Sequence, residues 1–255
     1  MERAGYISER FSKAGIELKK EQAAAFDRYA AMLVERNKSV NLTAITEFED
    51  IVTKHFLDSV LLLADNVSRE TFLRAGHAGT DVSRETSPVK LVDVGTGAGF
   101  PGIPLRIVCP GIELTLIDAL EKRVRFLAET VSELGCAETR LIHSRAEDAA
   151  RDVTLREAFD VCVSRAVAPL PVLCEYCLPF VRVGGAFFAY KSLDCDQEIR
   201  DASAAIRLLG GKLEAVRELR LPGTDITRRI LIITKISPTP DRYPRRAGKP
   251  EKSPL

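Results

Sequence analysis

The chain has 255 residues, 45% hydrophobic and 29% charged, which is ordinary globular composition and ample for a core. With 37 basic and 36 acidic residues the formal net charge is +1, so no global field advertises nucleic acid and any such contact must come from local basic patches. No apolar run is long enough to span a bilayer and no charged-then-apolar leader opens the sequence. The expectation is a cytoplasmic protein that binds no membrane.

In chain order, residues 1–65 read as an N-terminal helical extension. Ala23, Phe26, Tyr29, Ala30, Leu33 and Val34 recur at helical spacing. The polar stretch "RNKSVNLTAI" follows, and Thr46 with Glu49 forms a capping-box pattern that would start the next helix, "EFEDIVTKHFLDSVLLLA". Residues 66–88 lack periodicity and read as an inserted loop. They contain "VSRET" twice, at Val67–Thr71 and Val82–Thr86, a repeat too short to be a structural unit. One codon choice, GTT-TCA-CGT-GAA-AC, is its own reverse complement and resembles the DNA site bound by chromosome-partition proteins. Selection on the DNA and chance duplication in a tolerant surface loop are the two readings of this segment.

Residues 89–236 change rhythm. Short β-rich runs at 89–94, 112–117, 139–143, 159–163 and 181–190 alternate with helices, the clearest at 120–134, which predicts a parallel doubly wound sheet. "GGKLEAVRELRLPGTDITRRILIITKI" reads as two strands joined at Pro222-Gly223, a closing antiparallel hairpin common in class I methyltransferases and unusual in dinucleotide folds. Residues 237–255, proline-rich and basic, read as a disordered tail. Of the cysteines, only Cys174 and Cys177 have ligand-like spacing, with no second pair or nearby histidine, so they read as small buried hydrophobes and no metal is expected.

The chemistry concentrates in "LVDVGTGAGFPGIP", Leu91 to Pro104. Gly97-x-Gly99-x-x-Gly102 fits a dinucleotide fingerprint, with Asp118 about twenty residues on where a ribose-binding carboxylate belongs. Asp93 opposes that reading, because it lies where a pyrophosphate would sit. S-adenosylmethionine carries a sulfonium and an α-ammonium and no phosphate, so a carboxylate beside a glycine loop attracts it. Asp118 also suits an N-cap before "ALEKRVRFL". The glycine motif alone leaves both cofactors open. "SRAED" after the third strand places Ala146 and Glu147 where an adenine would lie, or else starts a helix with acids in its first turn. "SRAVAP", Ser164 to Pro169, lies at the carboxyl end of the sheet, where open α/β folds bind ligands.

Taken together and in order, "RNKSVNLTAI", "KHFLDS", "DVGTGAGFPGIP", "EKRVRFL", "SRAED", "SRAVA" and "AYKS" resemble the glucose-inhibited division protein B family, the bacterial guanine-N7 methyltransferases of 16S ribosomal RNA. The resemblance runs from about residue 20 to 236, leaving out the 66–88 segment and the tail. It implies an α/β class I methyltransferase, a Rossmann-like sheet with a closing hairpin, that takes S-adenosylmethionine. It further implies cofactor contact by Gly95, Phe100, Ala146, Glu147 and Arg165, beside Asp93, Gly97 and Asp118 read from the loop. One departure is Arg36, where relatives often carry an aromatic, which bears on packing of the first helix rather than on chemistry.

Methyl transfer from a sulfonium needs a nucleophile held in line behind the methyl carbon. Exocyclic-amine methylases use an Asn-Pro-Pro-Tyr-like motif after the fourth strand, and this chain has "SRAVAP" there. Carbon-5 cytosine enzymes need a thiolate, and Cys162 is predicted inside a strand. Guanine N7 offers an in-plane lone pair and loses no proton, which suits a site without an obvious base. Arg165 and Lys191 are the candidates for O6 or phosphate contacts. RNA contact by Arg36, Lys38, Asn41, His55 and Arg123 competes with solvated-face and turn readings of the same residues. His55, Asp58 and Ser59 share one helical face and either shape the target pocket or tie the N-terminal helices to the core. The reading is a monomeric N7 methyltransferase acting on 16S ribosomal RNA, free or in the small-subunit particle. A small-molecule methyltransferase and a non-catalytic nucleotide- or RNA-binding module are the alternatives.

Overall fold

The computed structural model describes residues 2–77, 88–136 and 138–255. Two helices, α1 (Arg3–Ser12) and α2 (Lys20–Val40), lead the chain. α2 buries Ala23, Phe26, Tyr29, Ala30 and Leu33, the stripe its spacing predicts, and ends at Asn41 in the left-handed region (φ 51°). A continuous helical run follows: α3 (Phe48–Asp50), a π-helical stretch over Ile51–Leu57, α4 (Asp58–Val60) and a 3-10 turn over Leu61–Leu63. The Thr46–Glu49 capping box does not form. Asn37 instead clamps Thr43, accepting its N–H (2.9 Å) and donating to its carbonyl (2.8 Å), and the helix starts after Glu47 with no side-chain cap.

The segment expected as an inserted loop begins as a helix, α5 (Asn66–His77). Asp65 caps it by accepting the backbone N–H and hydroxyl of Ser68 at 2.8 Å each. Phe72 is buried, 5.9 Å from the ring of Phe188, and the Ala75 carbonyl accepts a hydrogen bond from Arg182. The first "VSRET" is therefore packed helix, and one buried aromatic outweighs its weak periodicity. The second copy lies outside the described residues.

The core alternates as its rhythm predicts: β1 (Val89–Val94), α6 (Gly102–Val108), β2 (Ile112–Asp118), α7 (Glu121–Glu133), β3 (Arg140–His143), α8 (Ala146–Ala149), β4 (Phe159–Arg165), α9 (Leu170–Cys177), β5 (Val181–Ser192), α10 (Asp196–Leu208), β6 (Gly211–Arg220) and β7 (Thr227–Lys235). The sheet order is β3-β2-β1-β4-β5-β7-β6, parallel from β3 through β5, with β7 antiparallel to both neighbours. Successive residues face opposite layers, which is why Val161 and Val163 pack with the N-terminal helices while Cys162 packs with α9 and α10. The strand order reverses between β1 and β4, and the crevice beyond their carboxyl ends is where such sheets bind ligands.

The tail at 237–255 is not disordered. Tyr243 is buried, Leu255 packs on the α9–α10 layer, and a short helix α11 (Lys249–Lys252) closes the chain. Its composition misleads because the partners that order it are charged groups elsewhere: Arg156 donates to the carbonyls of Thr239 and Tyr243 at 2.8 Å each, and Arg245 pairs with Glu175 at 2.6 Å. Among the described residues no helix is long and apolar enough to cross a membrane, and no cluster of His, Cys, Asp or Glu has metal-binding geometry. Five of the six cysteines are buried and all are free.

Candidate cofactor site and target cleft

The glycine loop between β1 and α6 is built around Asp93. This carboxyl is fully buried, and its Oδ2 accepts from the Thr96 hydroxyl (2.7 Å) and the Gly102 N–H (2.8 Å). Its Oδ1 is buried with no hydrogen-bond partner among the described residues. Burial pushes the carboxyl up to about 7, against the opposing pull of Thr96, Gly102 and Arg165. Asp93 thus holds the loop's shape with one oxygen and leaves the other for a donor the protein does not supply.

The glycines divide by what a side chain would meet. At Gly102 a Cβ would lie 2.9 Å from Asp93 Oδ2, and at Gly99 2.5 Å from the Tyr29 hydroxyl, which itself donates to the Ala98 carbonyl (2.5 Å). Those two glycines serve the protein's own packing. Gly97 (φ 62°) faces open space, and its N–H donates to Asp118 Oδ2 at 2.9 Å. Asp118 ends β2, nearly buried, and its Oδ1 accepts the Leu120 N–H (2.9 Å) at the entry to α7. It therefore fixes the loop and the approach to α7, whose N-cap is Leu120 without a side-chain cap, and Oδ1 keeps room for a further donor while Oδ2 already takes Gly97 and Arg123.

A cavity opens beside it, lined by Val94, Gly95, Asp118, Arg145, Ala146, Glu147, Val167, Tyr176 and Glu251 among others. Three carboxylates against one guanidinium suit the hydroxyls of a ribose and the amine of a purine and oppose a pyrophosphate. With the unpartnered Asp93 oxygen for a cationic group, the residues present fit S-adenosylmethionine and disfavour a dinucleotide.

A second, larger cleft of about 450 Å³ lies between the N-terminal helices and the strand ends, lined by Ile45, Lys54, His55, Asp58, Arg165, Ala166, Tyr190, Lys191, Ser192 and Arg228. Its centre is Asp58, whose side chain is 2% exposed and accepts from Arg165 (2.8 Å) and Arg228 (2.9 Å). The guanidinium of Arg165 lies 5.1 Å over the Phe100 ring, and His55 stacks on that same ring at 4.6 Å. Burial, reinforced by Arg165, lowers His55 to about 4, so its ring is neutral, and Thr43 shares a 2.7 Å hydrogen bond with its Nε2. The π-helical turn puts His55 and Asp58 on this face, a use of π geometry frequent at functional sites.

One peptide step separates the two spaces. Ala166 lines the cleft and Val167 lines the cavity, leaning on Gly95 so that a Cβ there would meet Val167 at 2.5 Å. Ala166 adopts a left-handed conformation (φ 57°), strained for a residue with a side chain. Lys191 holds the next step, donating to the Ala168 carbonyl (3.1 Å) while pairing with Glu198 (2.5 Å).

The structure distributes the residues the sequence singles out between the two spaces and the surface. Gly95, Asp118, Ala146 and Glu147 line the cavity. Phe100 and Arg165 do not: both belong to the cleft side, Phe100 as the buried floor beneath His55 and Arg165. Lys191 pairs with Glu198 and donates to the Ala168 carbonyl, which ties it to the "SRAVAP" loop, and it lines the cleft with a third N–H beyond those two. Arg36 pairs with Glu129 and Lys38 with Glu35, both exposed and outside the cleft. Arg123 leans on Asp118 at 3.4 Å. Arg228 was missed because "ITRRIL" reads as an ordinary exposed strand; Tyr176 and Glu251 carried no local signal.

A parallel sheet closed by an antiparallel hairpin, with a glycine turn after β1 and an acid ending β2 beside a phosphate-averse cavity, defines a class I S-adenosylmethionine-dependent methyltransferase. Comparison with known proteins narrows the class. Residues 22–227 match the family model GidB, rRNA small subunit methyltransferase G. The ribosomal RNA small subunit methyltransferase G of Thermoanaerobacter sp. (strain X514) is 44% identical over 241 residues, 94% of this chain and 93% of its own. That of Alkaliphilus oremlandii (strain OhILAs) is 44% identical over 255 residues, the whole of both chains. The chain belongs to this family, and S-adenosylmethionine is its cofactor.

Proposed function

We propose that the protein methylates N7 of a guanine in 16S ribosomal RNA, free or within the small-subunit particle, acting as a cytoplasmic monomer. The observation that carries this reading is the pairing of an acidic nucleoside cavity with a basic cleft across the single step Ala166–Val167. In-line displacement needs the accepting atom and the methyl donor on opposite sides of one narrow opening, and the strained loop supplies that divide.

The cofactor, when bound, supplies a methyl group on a positively charged sulfur. Asp118, Gly97, Ala146 and Glu147 would hold its nucleoside portion and the free Asp93 oxygen a cationic group. The residues of the cleft do the rest. Arg165 spends Nη1 on Asp58, with longer contacts to the Lys54 and His55 carbonyls and from Nη2 to His55 Nδ1, and as a guanidinium in the cleft wall it would offer guanine O6 a charged donor. Asp58 fixes that guanidinium in place with Arg228, and Phe100 supports it from below. His55 is neutral and already bonded to Thr43, so it removes no proton near neutrality, and N7 requires none removed. The basic groups Lys54 and Arg228 at the rim suit phosphate contacts.

The deciding experiment maps N7-methylguanine in 16S ribosomal RNA from cells with and without the gene, then restores the gene as wild type or Arg165→Ala. One guanine should lose its methyl group without the gene and regain it with the wild type only. An unchanged methylation map would refute the assignment.

A further inference from the structure

The sheet is complete at Lys235, yet the chain continues for twenty residues pinned along α8 and α9. Arg245 grips the fully buried Glu175 through Nε (2.9 Å) and Nη2 (2.6 Å), and its own backbone N–H adds a bond at 2.6 Å. A buried carboxylate is costly unless paired, and these bonds from Glu175 all lead to the tail. Arg151 adds a bond to the Pro244 carbonyl at 2.5 Å. This anchoring sets down the last turn at one place. The Gly248 N–H donates to Glu147 Oε1 (2.9 Å), and the Tyr176 hydroxyl donates to Glu251 Oε1 (3.1 Å). Glu251 lines the same cavity as Asp118, Ala146 and Glu147.

We propose that the C-terminal segment is the purine-recognition wall of the cofactor site, with the Glu251 carboxylate accepting a hydrogen bond from the exocyclic amine of adenine and Gly248 holding Glu147 in place. The inference rests on the assignment of the ribose to Asp118. The cavity that Asp118 lines also carries residues 144–147, Tyr176 and Glu251, so a base extending from a ribose on Asp118 would meet its polar edge among these groups. Adenine presents an amine donor at this edge, whereas hypoxanthine presents a carbonyl. A carboxylate therefore accepts from the first and opposes the second, leaving two acceptors face to face. Tyr176 turns its hydroxyl hydrogen to one Glu251 oxygen, which leaves the other for the ligand. The Glu251 acceptor comes from a segment outside the sheet and adds to the Glu147 carboxylate in the same cavity wall.

Calorimetry on the full chain tests it, with S-adenosylhomocysteine and S-inosylhomocysteine as probes. Wild type should prefer the adenine compound by about ten-fold, the low end for a hydrogen bond to a charged group because Glu251 is solvent-exposed. Glu251→Gln, whose amide can donate to a carbonyl, should erase that preference by weakening the first compound and tightening the second. A purely structural role for Glu251 would move both affinities together, so an unchanged ratio overturns the proposal. Asp118→Ala must weaken both compounds. If it does not, the ribose assignment fails, and the proposal with it. If it does while Glu251→Gln leaves the ratio alone, the tail proposal fails by itself. Hydrogen exchange gives a second readout: S-adenosylhomocysteine should slow exchange of the Gly248 amide in wild type, and unaltered exchange on saturation would also refute the wall.

Discussion

With a cationic group of the cofactor on Asp93, as proposed above, cofactor affinity should depend on pH, with a sign and size that follow from the surroundings of this carboxyl. The carboxyl is raised from an ordinary 3.8 to about 7 by burial, with Asp118 adding repulsion and Arg165 opposing it. Between about pH 4 and 7 the native ligand-free protein therefore holds a proton there that the unfolded chain has released. Stability without ligand falls as pH rises through this window. A cationic group on the unpartnered Oδ1 reverses the preference, because it binds the ionised carboxylate. At pH 6 roughly one molecule in eleven is ionised at Asp93 and at pH 8 roughly ten in eleven, so S-adenosylmethionine should bind about ten-fold tighter at pH 8, ~1.4 kcal/mol.

The assay is isothermal calorimetry at pH 6, 7 and 8 in buffers of different ionisation enthalpy. Binding below pH 7 should release a proton. Asp93→Asn keeps a carbonyl oxygen for the Thr96 hydroxyl and the Gly102 N–H while removing the titration. The comparison therefore cancels any other group that ionises over this range. Arg165 stays charged throughout, and His55, lowered to about 4, stays neutral. Equal pH slopes in wild type and Asp93→Asn would refute the reasoning, whatever the absolute affinities.

Three further outcomes follow from the same geometry. Phe72→Ala should destabilise the protein by about 3–4 kcal/mol in urea unfolding, since the ring is buried against Phe188; a change under about 0.5 kcal/mol would restore the loop reading of this segment. Gly97→Ala meets open space and should cost only about 1 kcal/mol of stability for its positive φ while weakening S-adenosylhomocysteine in calorimetry, whereas Gly99→Ala, driven onto the Tyr29 hydroxyl, should lower Tm more; the reverse ranking of Tm values would refute the division of the glycines. Single-turnover rates at saturating RNA and cofactor should stay flat from about pH 6.5 to 8.5, because no side-chain base titrates in the chemical step, and a log-linear rise would point to proton loss and away from N7.

What was legible in the sequence tracks how locally each feature is encoded. The β1 and β2 strands, the glycine turn and Asp118 are written in contiguous residues whose period and turn chemistry act over a few positions, and the structure places them as read. The tail was misread for the opposite reason. Its prolines and charges satisfy every compositional rule for disorder, yet Arg245 finds Glu175 seventy positions away and Gly248 finds Glu147 across a hundred and one. No window of sequence contains both ends of such a bond. The same holds for Arg165, whose partner Asp58 lies on a helix 107 residues earlier. Residue type and position mark Arg165 as a candidate. Only the fold tells that Asp58 fixes its direction, and direction decides whether a guanidinium faces cofactor or target. The glycine turn is thus a local device set at the switch of strand order, whereas the larger cleft joins N-terminal helices to distant strand ends and the nucleoside cavity takes part of its wall from the C-terminal segment.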